Sequence, residues 1–222
     1  MAKLNVGIYL FENMTMLDGF APLQFFAFVE GFDTFTFAKE ATPLRSDSGA
    51  VLTPDYGFAD CPRIDVLVVP GGGDLLPQLE DRDAVAFLAR AGGGAQYVTS
   101  VCSGALILAE AGLLRGYEAA THWAYTDLLA AYPDVTVVDK RVAIDRNRIT
   151  GGGVTAGIDF ALTVIGELAS PAEAQALQLL FEYRPEPPFD AGSPNTAPAA
   201  IAAGVRAQAE EVTAGVRQHV GR

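Results

Sequence analysis

The sequence predicts an α/β fold with a mostly parallel central sheet and helices on both of its faces, and three features of the chain point there. Short runs rich in β-branched and aromatic residues alternate with longer runs of helical character, the pattern of repeated βα units. Val66-Leu67-Val68-Val69 is continuously apolar, as a strand covered on both sides must be. Tyr97-Val98-Thr99-Ser100 leads through Val101 into Cys102-Ser103-Gly104, which places a thiol on a sharp strand-to-helix junction, a nucleophile elbow.

Taken in order, Leu4 to Leu10 reads as the first strand and Asp18 to Glu30 as the helix after it. Val66 to Val69 is a central strand followed by a helix over Ala84 to Ala91. Tyr97 to Ser100 is a strand followed by a helix over Ala105 to Ala111. Val142 to Asp145 and Arg148 to Thr150 flank the polar pair Arg146-Asn147, the pattern of a hairpin that adds a small antiparallel piece. After Gly151-Gly152-Gly153, residues Val154, Ile158, Ala161, Leu162, Ile165 and Leu168 recur at helical spacing and predict an amphipathic helix. The proline-rich stretch Tyr183 to Pro194 cannot be regular helix, because proline removes backbone donors and fixes φ. It reads as an extended arm, followed by an alanine-rich helix from about Ala197 to His219 that is free to wrap its own domain or a second subunit. Residues 1–222 read as one domain, with arm and terminal helix from about residue 183.

Composition narrows the partners. Half the residues are hydrophobic and the formal charge is −12. Such a charge repels phosphate backbones and anionic headgroups, so the sequence predicts no nucleic acid and no membrane as partners. No run approaches the roughly 18 apolar residues of a membrane span. The stretch from Met1 to Phe11 carries one cation and a short apolar run, so it reads as a strand rather than a signal peptide. Cys61 and Cys102 show no disulfide pattern, which predicts a reducing, cytoplasmic compartment.

Cys102 is the residue with the most chemistry in it. Orphan N–H groups and the dipole of the following helix stabilise a thiolate, which predicts a pKa below the free value of roughly 8.5. The alternative is a small buried apolar cysteine, but Ser103 and Gly104 suit an exposed tight turn better. Asp18 reads either as a helix cap or as a pocket residue, because in a doubly wound sheet the loops after several strands gather at one edge and bring Asp18, Gly72 and Cys102 together. Pro70-Gly71-Gly72-Gly73 reads either as a plain loop or, with the N–H of Ser103, as an anion-binding nest.

Other chemistries find less support. No histidine adjoins the thiol, which disfavours Cys-His peptidase chemistry. His122 reads as a cap or packing residue bordering the pocket, and His219 as a solvated tail residue. Neither cysteine nor histidine has a ligand-spaced partner, so no metal is expected. The glycine runs lack a phosphate-binding fingerprint, so no cofactor is expected. Cys61, away from any helix start, reads as structural.

Asp18, Pro70-Gly71-Gly72, Val101-Cys102-Ser103-Gly104 and Ala120-Thr121-His122-Trp123 together resemble the DJ-1/PfpI superfamily. Thr150-Gly151-Gly152-Gly153-Val154-Thr155-Ala156-Gly157-Ile158-Asp159 and the tail from Pro187 to Pro194 are similar to its isonitrile hydratase branch. The resemblance implies a flavodoxin-like three-layer sandwich, a homodimer, and metal-free hydration of a small-molecule isonitrile to an N-substituted formamide. Cys102 would attack the terminal carbon to form a thioimidate, Asp18 would manage the protons and position water, and Ser103 would orient Asp18 or that water. Gly71 and Gly72 would bind the substrate, and backbone N–H groups near Gly72 and Ser103 would hold the sulfur anion and the polar intermediate. Aspartate at 18 fits the hydratases, where most of the superfamily has glutamate; Ser103 stands where hydratases usually carry threonine. The elbow is shared with DJ-1-like domains of AraC-type regulators, so a redox or ligand sensor is the competing reading, and glyoxalase-type hydration of aldehydes a third.

Overall fold

Burial of one sheet between two helical layers organises the chain. The computed structural model describes residues 3–221, so Met1 and Ala2 of the N-terminal stretch, and Arg222, lie outside the described residues. The strands are β1 (Leu4–Tyr9), β2 (Phe32–Phe37), β3 (Leu44–Arg45), β4 (Val51–Leu52), β5 (Val66–Val69), β6 (Tyr97–Ser100), β7 (Tyr117–Ala119), β8 (Val135–Val137), β9 (Val142–Asp145) and β10 (Arg148–Gly151). The helices are α1 (Met16–Phe26), α2 (Leu76–Glu80), α3 (Arg82–Gly94), α4 (Gly104–Glu110), α5 (Thr126–Leu129), α6 (Ala156–Leu168), α7 (Pro171–Leu180) and α8 (Ala199–Val220).

The main sheet has the order β2-β1-β5-β6-β10-β9. Its first five strands are parallel, and β9 closes one edge antiparallel to β10. This is the flavodoxin-like order, which reverses direction between β1 and β5 and leaves a crevice at the carboxyl ends of those strands. Right-handed crossovers then place α1, α6 and α7 on one face and α2, α3, α4, α5 and α8 on the other, where each group packs together. All four residues of β5 are buried, as its apolar run predicts for a central strand. Among the described residues, no helix is long and apolar enough to cross a membrane.

Differences from the sequence reading have local causes. Helix α1 begins at Met16 and closes at Phe26, four residues before Glu30. The N–H groups of Phe28 and Val29 bond only three residues back, the tightening of a helix that is ending. Helix α3 begins two residues before Ala84 because the Asp81 carboxylate accepts the N–H groups of Asp83 and Ala84, at 3.1 and 3.2 Å. Its last turn continues through Gly92, whose missing Cβ makes room for Leu113. The hairpin forms, with Arg146 at φ 55° in its turn, but β10 is itself the fifth parallel strand and only β9 is the antiparallel addition.

The elbow depends on one close approach. A Cβ on Gly104 would lie 2.2 Å from the Val69 carbonyl oxygen and 2.7 Å from that of Pro70. The first turn of α4 therefore packs directly on the end of β5, which sets the depth at which Cys102 sits. Gly104→Ala is expected to destabilise the protein by about 2 kcal/mol or more, the usual cost of overpacking against rigid backbone; a urea midpoint equal to wild type would show that α4 has room to retreat.

Candidate active site

Four segments distant in sequence meet at the carboxyl ends of β1, β5, β6 and β10. Cys102 occupies the left-handed region at φ 59°, a conformation that costs energy for any residue with a side chain and persists only when its surroundings hold it. Both peptide groups are held. The Cys102 N–H donates to the carbonyls of Gly152 at 2.7 Å and Gly151 at 3.2 Å, and its own carbonyl accepts the Thr121 hydroxyl at 2.9 Å. The Thr150 to Gly153 and Ala120 to Trp123 segments thus act as the two jaws of a clamp on Cys102.

Asp18 is fully buried. The cap reading fails: it is the third residue of α1, and the cap position, Thr15, makes no side-chain capping bond. Instead Asp18 reaches across the crevice, where Oδ2 accepts the Gly71 N–H at 3.0 Å. Oδ1 is buried with no hydrogen-bond partner among the described residues. Burial pushes this carboxyl up to about 7. The Gly71 N–H and the Cys102 side chain pull it down, and the charge of Asp47 adds a smaller push upward.

Cys102 corrects the expectation of a thiolate stabilised by the helix. Cys102 is 5% exposed, and burial followed by the charge of Asp18 holds its thiol well above the ordinary value; the Ser103 N–H opposes this. The seven-residue helix α4 does not outweigh the loss of water around the sulfur. Two buried acids resist ionising together, because the charge of Asp18 opposes a thiolate at Cys102.

Of the two readings of Pro70-Gly71-Gly72-Gly73, the nest loses its loop N–H groups to internal partners. The Gly71 N–H is given to Asp18, and the Gly72 N–H is given to the Ser103 hydroxyl oxygen at 3.0 Å. Ser103 in turn donates its hydroxyl proton to the Gly72 carbonyl at 2.8 Å, so that proton is not free to orient Asp18 or a water. Ser103 instead staples the glycine loop to the elbow. A Cβ on Gly71 would lie 2.5 Å from the Ser103 hydroxyl and 3.0 Å from Asp18 Oδ2, so this position admits only glycine if all three are to meet.

Above the sulfur lies a pocket of about 240 Å³. Trp123, Ala124 and Val154 form its apolar walls, Gly72 borders it, and Val205, Ala209 and Val212 of α8 form its roof. His122 borders it too, its Nδ1 accepting the Ala124 N–H at 3.2 Å; burial lowers its pKa, so it is neutral. Tyr125, which the sequence reading passed over, donates its hydroxyl to the Gly73 carbonyl at 2.5 Å and steadies the glycine loop from the far side. The roof residues carried no signal beyond helical periodicity, because nothing local says where a terminal helix docks. His219 is not solvated: its side chain is 10% exposed, against Glu110. Cys61 is half-buried, and burial pushes its thiol up to about 11, consistent with an unactivated residue. Among the described residues, no three His, Cys, Asp or Glu side chains converge as metal ligands.

Residues 5–167 match the DJ-1/PfpI family. The chain belongs to the DJ-1/PfpI family. Within that family it is 46% identical over 198 residues to a Pseudomonas putida protein named isonitrile hydratase, covering 89% of this chain and 86% of the relative. A ThiJ/PfpI family protein from Pseudomonas syringae superposes with a TM-score of 0.96 at 41% identity, over all of this chain and 92% of that one. The transcriptional regulator GbdR of Pseudomonas aeruginosa is 29% identical over 81% of this chain, which spans half of the regulator's length. Drosophila melanogaster DJ-1β, with a TM-score of 0.72 at 22% identity, shares the fold.

The buried carboxyl makes a stability prediction with a definite sign. Its folded pKa is raised from 3.8 to about 7, so its contribution is full below pH 4 and is lost as pH rises toward 7, by at most roughly 4 kcal/mol. Asp18→Asn, whose amide oxygen can still accept the Gly71 N–H, is expected to flatten that loss and melt higher than wild type at neutral pH. Parallel pH–stability curves for the two proteins would contradict this.

Proposed function

We propose that the protein hydrates isonitriles to N-substituted formamides through a thioimidate on Cys102. The observation that carries the reading is the pairing of a buried thiol with a buried carboxyl, one of whose oxygens is unpartnered, beneath a small apolar-walled pocket. The likeness to a named hydratase over most of both chains supports it.

The isonitrile carbon bears a lone pair and a low-lying π* orbital, so it takes both a proton and a nucleophile. Asp18 as carboxylate accepts the thiol proton and delivers it to that carbon while sulfur bonds to the same atom: Cys–SH and R–N≡C become Cys–S–CH=N–R. Water then attacks the thioimidate carbon. Asp18 takes one water proton and passes it to nitrogen, giving Cys–S–CH(OH)–NH–R. The carbon–sulfur bond breaks, the hydroxyl proton returns to sulfur, and R–NH–CHO leaves. Each half of the cycle uses one carboxylate as base and then as acid. A pKa near neutrality suits it to both roles. The apolar walls suit the uncharged R group.

The sensor reading requires a low-pKa, accessible thiolate that peroxide oxidises readily, and the enclosed, raised thiol disfavours it. We further read residues 1–222 as one domain that works as a cytoplasmic homodimer. Exposed Phe28, Leu179 and Leu180 on the α1–α7 face favour self-association, which sedimentation would detect.

Cys102→Ala is expected to abolish formamide production from an aryl isonitrile, followed by chromatography; retained turnover ends the proposal. Asp18→Asn is expected to lower kcat by about 10²–10⁴-fold, the usual share of a positioned acid–base group. In wild type kcat/KM should rise through a midpoint near 7, as Asp18 loses its proton, and this rise should vanish in the asparagine variant.

A further inference from the structure

The pocket roof belongs to a helix anchored well away from the pocket. Val205 and Val212 of α8 line the pocket and are 45% and 41% exposed. The C-terminal part of α8 is held much more firmly. Val216 is fully buried, and Gly215 lies so close to α2 that a Cβ there would come within 2.8 Å of the Leu76 side chain. Beyond it, His219 Nε2 is 3.3 Å from Glu110 Oε2, and its Nδ1 is 4.0 Å from Glu80 Oε1. Glu110, 14% exposed, also accepts the Tyr132 hydroxyl at 2.9 Å and faces the Arg82 guanidinium at 3.4 Å.

Glu110 is the last residue of α4, whose first turn follows Cys102. The same short helix therefore follows Cys102 at one end and presents the Glu110 carboxylate to α8 at the other. None of Glu110, Tyr132 or His219 borders the pocket, and the reaction above does not use them. Enclosing a carboxylate is costly unless good partners compensate, and here those partners tie three helical elements to one point. Toward its other end α8 has a looser tether, the exposed Arg206 guanidinium 5.3 Å from the Trp123 ring centre.

We propose that His219 is a positioning residue: paired with Glu110, it clamps α8 to the nucleophile helix, fixes the height of the pocket roof and so limits the bulk of the isonitrile R group. The substrate part of this rests on the hydratase reading. The geometry is that of a lever. From His219 to Val205 the helix runs roughly 20 Å, so a small tilt at the clamp becomes a large displacement over the sulfur.

The test compares a compact isonitrile (n-butyl) with a bulky one (1,1,3,3-tetramethylbutyl) in wild type, His219→Ala, His219→Gln and Glu110→Gln. Labelling of Cys102 by a bulky N-arylmaleimide, located by peptide mass mapping to separate it from Cys61, gives a readout independent of turnover. His219→Ala is expected to raise the bulky-to-compact ratio of kcat/KM about tenfold, through the KM of the bulky substrate, with kcat for the compact one near wild type and maleimide labelling accelerated in parallel. Glutamine at 219 retains a donor toward Glu110 and should restore most of the discrimination. Glu110→Gln, isosteric with the native side chain, should shift the ratio in the same direction and serves if alanine at 219 does not fold. A folded His219→Ala or Glu110→Gln protein with unchanged ratio and labelling overturns the proposal. If wild type turns over neither isonitrile, the hydratase reading fails and the labelling rates alone decide the roof assignment.

Discussion

The site depends on burying two acids, the Asp18 carboxyl and the Cys102 thiol, away from water. Water would settle the matter by ionising Asp18 and leaving the Cys102 thiol intact, and the carboxylate would then be too weak a base to move that proton. Burial raises both groups, Asp18 to about 7 and the Cys102 thiol well above its ordinary value. A carboxyl whose pKa lies near neutrality is suited both to take a proton and to return it. The stability forfeited by enclosing it is the kind of local cost that a functional site retains and the rest of the fold offsets.

The rest of the architecture serves that enclosure. The strand order opens a crevice where the sheet changes direction, and α1 projects Asp18 into it from one side while the elbow projects Cys102 from the other. The strained φ of Cys102 is sustained by carbonyls from the end of β10 and by Thr121. The glycine loop is consumed in this work: its N–H groups bind Asp18 and Ser103 rather than waiting for an anion. Glycine at 71 and 104 is demanded by proximity, since a Cβ at either would collide with the site or with backbone.

Much of this was legible in the sequence wherever the signal was local. The apolar run of β5, the periodicity of α6 and the prolines of the arm each encode structure within a few residues. Topology then gathers loops at one edge, which is enough to bring Asp18 and Cys102 together without coordinates. What stayed hidden was set by contacts between distant segments. The sign of the Cys102 shift turns on how completely α8 and the loops exclude water, a quantity no local pattern carries. The partners of Gly71 and Gly72 depend on ångström-scale geometry between loops, so free N–H groups were expected where bonded ones occur. His219 looks solvated in a charged tail, and only the docking of α8 against Glu110 encloses it.

The most direct test of that burial is to follow the proton of the Asp18 carboxyl itself. In protein labelled with 13C-aspartate, with the Asp18 resonance assigned by its loss in the Asp18→Asn variant, the carboxyl shift should titrate with a midpoint near pH 7. A midpoint in the ordinary aspartate range, near 4, would mean that the site is wet and Asp18 is a spectator anion, and the account would be contradicted at its root.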